Sequence, residues 1–295
     1  MGERIMPCAM LLTLMLAVRA GSEEAAVHFQ AHRGTVEEAP ENTMAAFRHA
    51  WSIEGAVPEA DLRTTKDGVI ICLHDAMPAR TTDAPEPYRS TDISDIAFDV
   101  VRTWDAGSWF DARFAGERVP TLRELFAFMQ GKPERQLYLD LKGVDLEALK
   151  ALIEECGVAE QVLFVHGSPV YCARLLDMFP GARTMTWLSG LPPQIKRGYH
   201  ALAKSAFKGL SQLQFHLHVR PGEGPVEYML DEAFLASAVA ATRAAGVELM
   251  VRPFAFDAAS VRALMDLGIH WYVADAPAKF AAAVAEARTR QTHSD

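Results

Sequence analysis

At 295 residues, half of them hydrophobic, the chain is long enough for one large domain with a sizeable core, and α/β barrels commonly run to about 250 residues as a single unit. The net charge of −9 gives no diffuse basic surface, which argues against nucleic acid as the main partner and leaves an anionic substrate dependent on a local basic site. The four cysteines show no C-x-x-C spacing and make neither a zinc site nor an obvious disulfide framework.

The first twenty residues place Arg4 ahead of a mostly apolar stretch, Ile5 to Val18, that ends at Val18-Arg19-Ala20. That is the pattern of an export signal cut before Gly21, and it is shorter than the roughly 20 apolar residues of a membrane helix. Residues 1–20 are therefore expected to be an export signal, and the mature protein to be periplasmic or secreted, without a stable membrane span. A cytoplasmic location with a buried N-terminal helix is the alternative. Residues 27–290 are expected to form one domain.

Short apolar or mixed runs at Val27–Ala31, Val57–Leu62 and Val69–Leu73 predict three strands, each ending at or near charged groups. Between the first two, Asn42 is placed to cap a helix running to Glu54, because Met44, Phe47, Ala50 and Trp51 recur at helical spacing and Gly55 follows. Residues 75–118 then form a proline-marked insertion, whose Trp104, Trp109, Phe110 and Phe114 supply apolar contacts of its own. Thr121 can cap a helix to Met129, and Gln136–Leu141 is a fourth strand. From there strands at Gln161–His166, Ala182–Leu188, Leu210–Leu217, Val247–Arg252 and His270–Ala274 alternate with helices at Leu146–Cys156, Pro169–Met178, Pro193–Phe207, Asp231–Ala245, Ala258–Asp266 and Ala276–Ala287. Apolar strands alternating with helices imply a parallel sheet buried on both faces. There are nine strand runs for the eight places of a barrel, so one of them is peripheral.

Several spaced motifs occur in order: AHRG from Ala31, PENT from Pro40, Glu59-x-Asp61-x-Arg63-x-Thr65-Lys66-Asp67-Gly68, LHD from Leu73, RTT from Arg80, DAGSWF from Asp105, FAGERVPTL from Phe114, and LDLK from Leu139. Together they resemble the glycerophosphodiester phosphodiesterase family. The resemblance implies a (β/α)8 TIM barrel with a small insertion after the third strand. It also implies hydrolysis of glycerophosphodiesters to glycerol 3-phosphate and an alcohol, with a divalent metal. It assigns metal binding to Glu59, Asp61 and Asp140, and acid–base chemistry to His32 and His74. Two departures stand out. Asp140 occupies a position where glutamate is common, and the usual tryptophan-containing end of the seventh barrel strand is replaced by MVRPFAFD at Met250–Asp257.

The residues support that assignment on their own chemistry. Positions i and i+2 of a strand face the same way, so Glu59 projects with Asp61, and Asp140 with Lys142. Oxygen-only ligands suit a hard ion, Mg²⁺ or Ca²⁺, and the site has no cysteine that would favour zinc. Phosphodiester cleavage needs one group to accept a proton and another to donate one, duties that suit histidine, with a pKa near 6.5. Arg33 offers a planar donor fork for phosphate and Lys142 a point charge beside the carboxylates. His166, His216 and His218 stand where they could line the barrel mouth, whereas Glu41 and Asn42 read as capping and loop bracing. A lysophospholipase D acting on the same bond is the neighbouring alternative, and an exported phosphate-ester binder without turnover is the alternative from another class.

Overall fold

Residues 25–291 are described by a computed structural model, and the export-signal expectation at residues 1–20 lies outside them. Nine strands run in chain order: β1 His28–Ala31, β2 Ala56–Thr64, β3 Ile70–Cys72, β4 Leu137–Gly143, β5 Val162–Val165, β6 Arg183–Leu188, β7 Gln212–Leu217, β8 Glu248–Pro253 and β9 Trp271–Ala274. Eight of them are parallel neighbours, and β1 pairs with both β2 and β9, which closes the sheet into a (β/α)8 barrel. The ninth, peripheral strand is β3, which folds back antiparallel along β2 after the tight turn at Asp67–Gly68 and touches no other strand. Among the described residues no helix is long and apolar enough to cross a membrane.

Period-two alternation sorts side chains between two cores. On β1, Phe29 points outward against Phe280 of helix α9 (Pro277–Gln291), while Gln30 and His32 line the barrel cavity. Inside, Tyr138, Leu163, Val165, Met185, Met250 and Val273 pack into an apolar plug that fills the lower barrel. The insertion builds a satellite core of Ile93, Ile96, Val101 and Trp104 against Ile71 and Leu73, which ties it to the outside of β3.

Two expected helices are shorter than their periodicity suggests. Helix α1 spans Met44–Trp51, with Thr43 as its cap, its side chain accepting from the Ala46 amide at 3.3 Å. Asn42 is not the cap: it sits at a left-handed φ of 55° and its side chain is committed elsewhere. The helix following β6 ends at Ala203, because Ala206 and Phe207 take φ values of 48° and 55° that stop helical propagation before the expected Phe207.

The turn after β1 aims the first site residues. Arg33 has a φ of 57° and Gly34 one of 80°, and a Cβ on Gly34 would meet the Ala46 Cβ at 2.9 Å and the Ala46 backbone at 3.0 Å. The AHRG glycine thus lets β1 turn hard against α1. Gly34→Ala is expected to lose about 2 kcal/mol in chemical unfolding through strain plus clash. Unchanged stability would show that the turn relaxes freely.

Candidate active site

A cavity of about 270 Å³ opens at the C-terminal end of the parallel strands, the end at which barrel loops converge. His32, Arg33, Glu59, His74, Asp140 and Lys142 all line it, and Asp61 lies directly behind. The structure therefore brings together every residue singled out from the sequence for catalysis, substrate or metal.

Strand register explains the carboxylate cluster. Asp61 of β2 stands directly opposite Asp140 of β4, and Glu59 lies two residues earlier on the same inward face. One oxygen from each of the three can be chosen so that all lie within 4.8 Å of one another, and all three residues are buried. Burial, then the charges of Asp61 and Asp140, push the Glu59 carboxyl well above its ordinary value, and burial likewise raises Asp140. The neighbours compensate only in part. Lys142 Nζ lies 2.6 Å from Asp140 Oδ2 and 3.5 Å from Asp61 Oδ1, Arg33 Nε is 3.6 Å from Asp61 Oδ2, and the Arg33 amide donates to Glu59 at 3.3 Å. A buried all-oxygen donor set with excess negative charge fits a hard divalent cation.

Asn42 explains its backbone strain. Its side-chain amide donates to Asp61 Oδ2 at 2.7 Å while its side-chain oxygen accepts the Asp61 backbone N–H at 3.0 Å, so it holds that residue by both its carboxylate and its backbone. Glu41, read from sequence as bracing, accepts from Arg33 Nη1 at 2.9 Å and from both terminal nitrogens of Arg80 at 2.7 and 2.8 Å. One edge of the Arg33 guanidinium is thereby engaged with protein.

Each histidine leans on an aspartate held by an arginine. His32 Nδ1 is 2.7 Å from Asp275 Oδ1, and Arg252 Nη2 donates to the same carboxylate at 2.8 and 3.0 Å. A carboxylate only accepts, so Nδ1 carries the proton and Nε2 is left for the cavity, 3.9 Å from Glu59. Burial lowers the His32 pKa although the Asp275 bond opposes it. Asp275 itself is held far below the usual carboxylate range, because bonds from His32 and Arg252 outweigh its own burial. His74 Nδ1 lies 2.7 Å from Asp75 Oδ1, and Arg80 Nε donates to Asp75 Oδ2 at 2.6 Å.

Asp275, Arg80 and Asn42 were not assigned these duties from the sequence. A carboxylate just after the last strand, in WYVAD, was the available signal for Asp275. His216 lines the cavity beside Arg252, its pKa lowered to about 4 by burial and by Arg252, while His218 stacks on Phe254 and His166 on Tyr171.

The glycerophosphoryl diester phosphodiesterase family profile matches residues 32–153. A glycerophosphodiester phosphodiesterase from Caldanaerobacter subterraneus is 34% identical over 140 residues, covering 45% of this chain and 55% of that protein. The chain spans about half or less of the length of this and the other leading curated relatives. Over nearly the whole fold, it is similar to the crystal structure of a glycerophosphodiester phosphodiesterase from Agrobacterium tumefaciens, at 26% identity and TM-score 0.66, covering 87% of this chain and 99% of that one. A phosphodiesterase from Oleispira antarctica, solved with the product sn-glycerol-3-phosphate, shares the fold at 22% identity and TM-score 0.62, covering 87% of this chain and 96% of that one.

Arg80 bridges Glu41 and Asp75, and the linkage has a sign. Burial works against ionisation of both carboxyls, but Arg80, helped by Arg33 at Glu41 and by His74 at Asp75, outweighs it, lowering Glu41 and bringing Asp75 to about 2. Groups with depressed folded pKa values contribute stability above their unfolded values, near 4, and lose it as pH falls toward the folded ones. The Tm gap between wild type and Arg80→Ala is therefore expected to be largest above pH 5 and to shrink as pH falls through 4 toward 2. A gap constant across that range in thermal scans would remove the bridge from the account.

Proposed function

We propose that this chain, which belongs to the glycerophosphodiester phosphodiesterase family, hydrolyses glycerophosphodiesters to glycerol 3-phosphate and an alcohol, using a divalent metal ion and two histidines. The observation that carries the reading is the convergence, on one cavity, of three buried carboxylates with two histidines each tied to an aspartate through Nδ1. A binding protein would need the charge but not the paired acid and base.

Glu59, Asp61 and Asp140 would hold the ion, with Asn42 fixing the direction of Asp61. When bound, the ion supplies Lewis-acid stabilisation of charge on the phosphoryl oxygens. Oxygen ligands restrict the choice to hard cations such as Mg²⁺ or Ca²⁺. Lys142, and the part of Arg33 that Glu41 does not engage, add positive charge on the same side of the cavity. His32 and His74 present their Nε2 atoms, one to take a proton from the attacking water as its oxygen bonds to phosphorus and the other to protonate the departing alkoxide as its bond to phosphorus breaks. Asp275 and Asp75 hold the two rings in that tautomer and orientation, and Arg252 and Arg80 keep those aspartates ionised.

His32→Ala and His74→Ala should each lower kcat by about 10² to 10⁴, with the double variant little worse than the slower single one, because a relay missing either end is already broken. Glu59→Ala, Asp61→Ala and Asp140→Ala should each weaken metal binding, read by calorimetry on chelator-stripped protein, and abolish most turnover. The deciding experiment is a panel of glycerophosphodiesters and lysophospholipids with glycerol 3-phosphate detection, with and without chelator. Full activity in stripped enzyme would sink the metal assignment, and no glycerol 3-phosphate from any substrate would sink the reaction.

A further inference from the structure

His74 belongs to two chambers. It lines the catalytic cavity, and it also lines an outer cleft of about 460 Å³ bounded by Arg63, Asp75, Met77, Arg80 and Arg89, where the insertion begins. An ester arm that passes His74 on its way out of the barrel enters this cleft.

The charges of the cleft do not cancel. Arg80 is spent, bonded through all three of its nitrogens to Glu41 and Asp75, and Asp75 is also engaged with His74. Arg63 and Arg89 remain. Arg63 stands two residues after Asp61 on β2, where strand alternation alone would aim it at the carboxylates. The β2–β4 register shifts between Leu62 and Arg63, however, and the side chain lines the outer cleft instead. Among the described residues Arg63 makes no ion pair: Nε and Nη2 both donate to the His74 carbonyl, and Asp92, the carboxylate that acts on it most, does so from beyond ion-pair distance. Arg89 sits on the turn Tyr88–Ser90, which Tyr88 holds against Trp104 of the insertion core. Its ionic partner, Glu86, is 3.8 Å away and 74% exposed, a pair weak enough for a better-placed anion to displace.

A half-buried guanidinium without a counter-charge is satisfied by an anion, and its planar fork suits carboxylate or phosphate. The scissile phosphate is not that anion, because the metal carboxylates, Lys142 and Arg33 that would receive it lie in the inner cavity. In a chain of net charge −9, two uncompensated arginines at one cleft are also no part of a general basic surface. An ammonium group would find the Asp75 carboxylate already taken and would meet two like charges.

We propose that this cleft is the subsite for the alcohol arm, and that Arg63 and Arg89 select glycerophosphodiesters whose alcohol carries a second anion, a carboxylate or a phosphate, over those whose alcohol is only a cation or neutral. This rests on the phosphodiesterase reading and adds its choice of leaving alcohol.

Two substrate pairs that differ by one anion each provide the test. A carboxylate distinguishes sn-glycero-3-phosphoserine from sn-glycero-3-phosphoethanolamine, and a phosphate distinguishes sn-glycero-3-phosphoinositol 4-phosphate from sn-glycero-3-phosphoinositol. Glycerol 3-phosphate release is followed for metal-saturated wild type, Arg89→Gln, Arg89→Glu and Arg63→Gln, with folding checked by thermal unfolding. Wild type should favour the anionic member of at least one pair by about 10-fold in kcat/KM, and the pair that responds identifies the anion the cleft takes. That ratio should fall as salt rises from about 0.05 to 0.5 M. Arg89→Gln and Arg63→Gln should each cut it about 3-fold, and Arg89→Glu about 10-fold, by loss on the anionic substrate. Taking the ratio cancels any general loss of rate in Arg63→Gln, whose guanidinium also bonds the His74 carbonyl. Equal use of both members of both pairs by wild type overturns the subsite even if Arg63→Gln fails to fold, as does a ratio that neither salt nor either Arg89 variant lowers. Release of glycerol 3-phosphate from none of the four substrates would instead overturn the phosphodiesterase reading on which it rests.

Discussion

Three carboxyl groups held in a buried cluster set the terms for the rest of this molecule. Parallel register places Asp61 against Asp140, and the inward face of β2 adds Glu59 two residues away, in surroundings that cannot solvate them as water would. Like charges on adjacent strands destabilise a sheet, and burial deepens the cost. What surrounds the cluster is compensation at short range: Lys142 across Asp140, the Asn42 amide on Asp61, the Arg33 backbone N–H on Glu59. Each helper sits in a conformation or burial state it would not otherwise choose. Asn42 and Arg33 both accept left-handed backbone, and Gly34 follows Arg33 because no side chain fits there. The PENT and AHRG motifs are thus two sides of one turn, bent to support carboxylates that neither motif contains.

The two histidines are mounted alike from unrelated parts of the chain. His32, Asp275 and Arg252 come from β1 and the ends of β9 and β8, whereas His74, Asp75 and Arg80 come from one short segment opening the insertion. In both, a carboxylate fixes the ring tautomer and a guanidinium holds the carboxylate ionised, so each ring turns a chosen nitrogen to the cavity. The insertion contributes mainly through Arg80. Its own small core of Ile93, Ile96 and Trp104 anchors the segment, and Arg80 then reaches back to Glu41, joining the two halves of the site.

Much of this was legible in the sequence, for identifiable reasons. The placement of His32 and His74 at the mouth follows from short apolar runs that stop there, and the shared face of Glu59 and Asp61 follows from strand periodicity alone. The peripheral strand could not be identified, because Ile70–Cys72 is as apolar as its barrel neighbours and only its antiparallel pairing betrays it. The role of Asn42 was hidden for a related reason: an asparagine before a helical run reads as a cap, and only the approach of β2 reveals that its amide is needed by Asp61, leaving Thr43 to cap. Asp275 showed only as a carboxylate just after the last strand, and its duty could not be read because its partner lies 243 residues away in sequence.

Barrel closure is itself part of the site's assembly. β9 pairs with β1 along its full length, the His32 amide donates to Ala274 at 3.0 Å, and the Val36 and Glu37 amides donate to the Asp275 carbonyl at 2.8 and 3.1 Å. The loop that carries Arg33 and Gly34 is thus stitched to the last strand before it can present His32. The family profile matches residues 32–153, which hold Glu59, Asp61, Asp140, His32 and His74, yet the group that orients His32 and the wall facing those carboxylates come from residues 165–275. The far wall, where MVRPFAFD at Met250–Asp257 brings Arg252 to the cavity, thus depends on closure: only with β9 paired to β1 does Asp275 stand between Arg252 and His32.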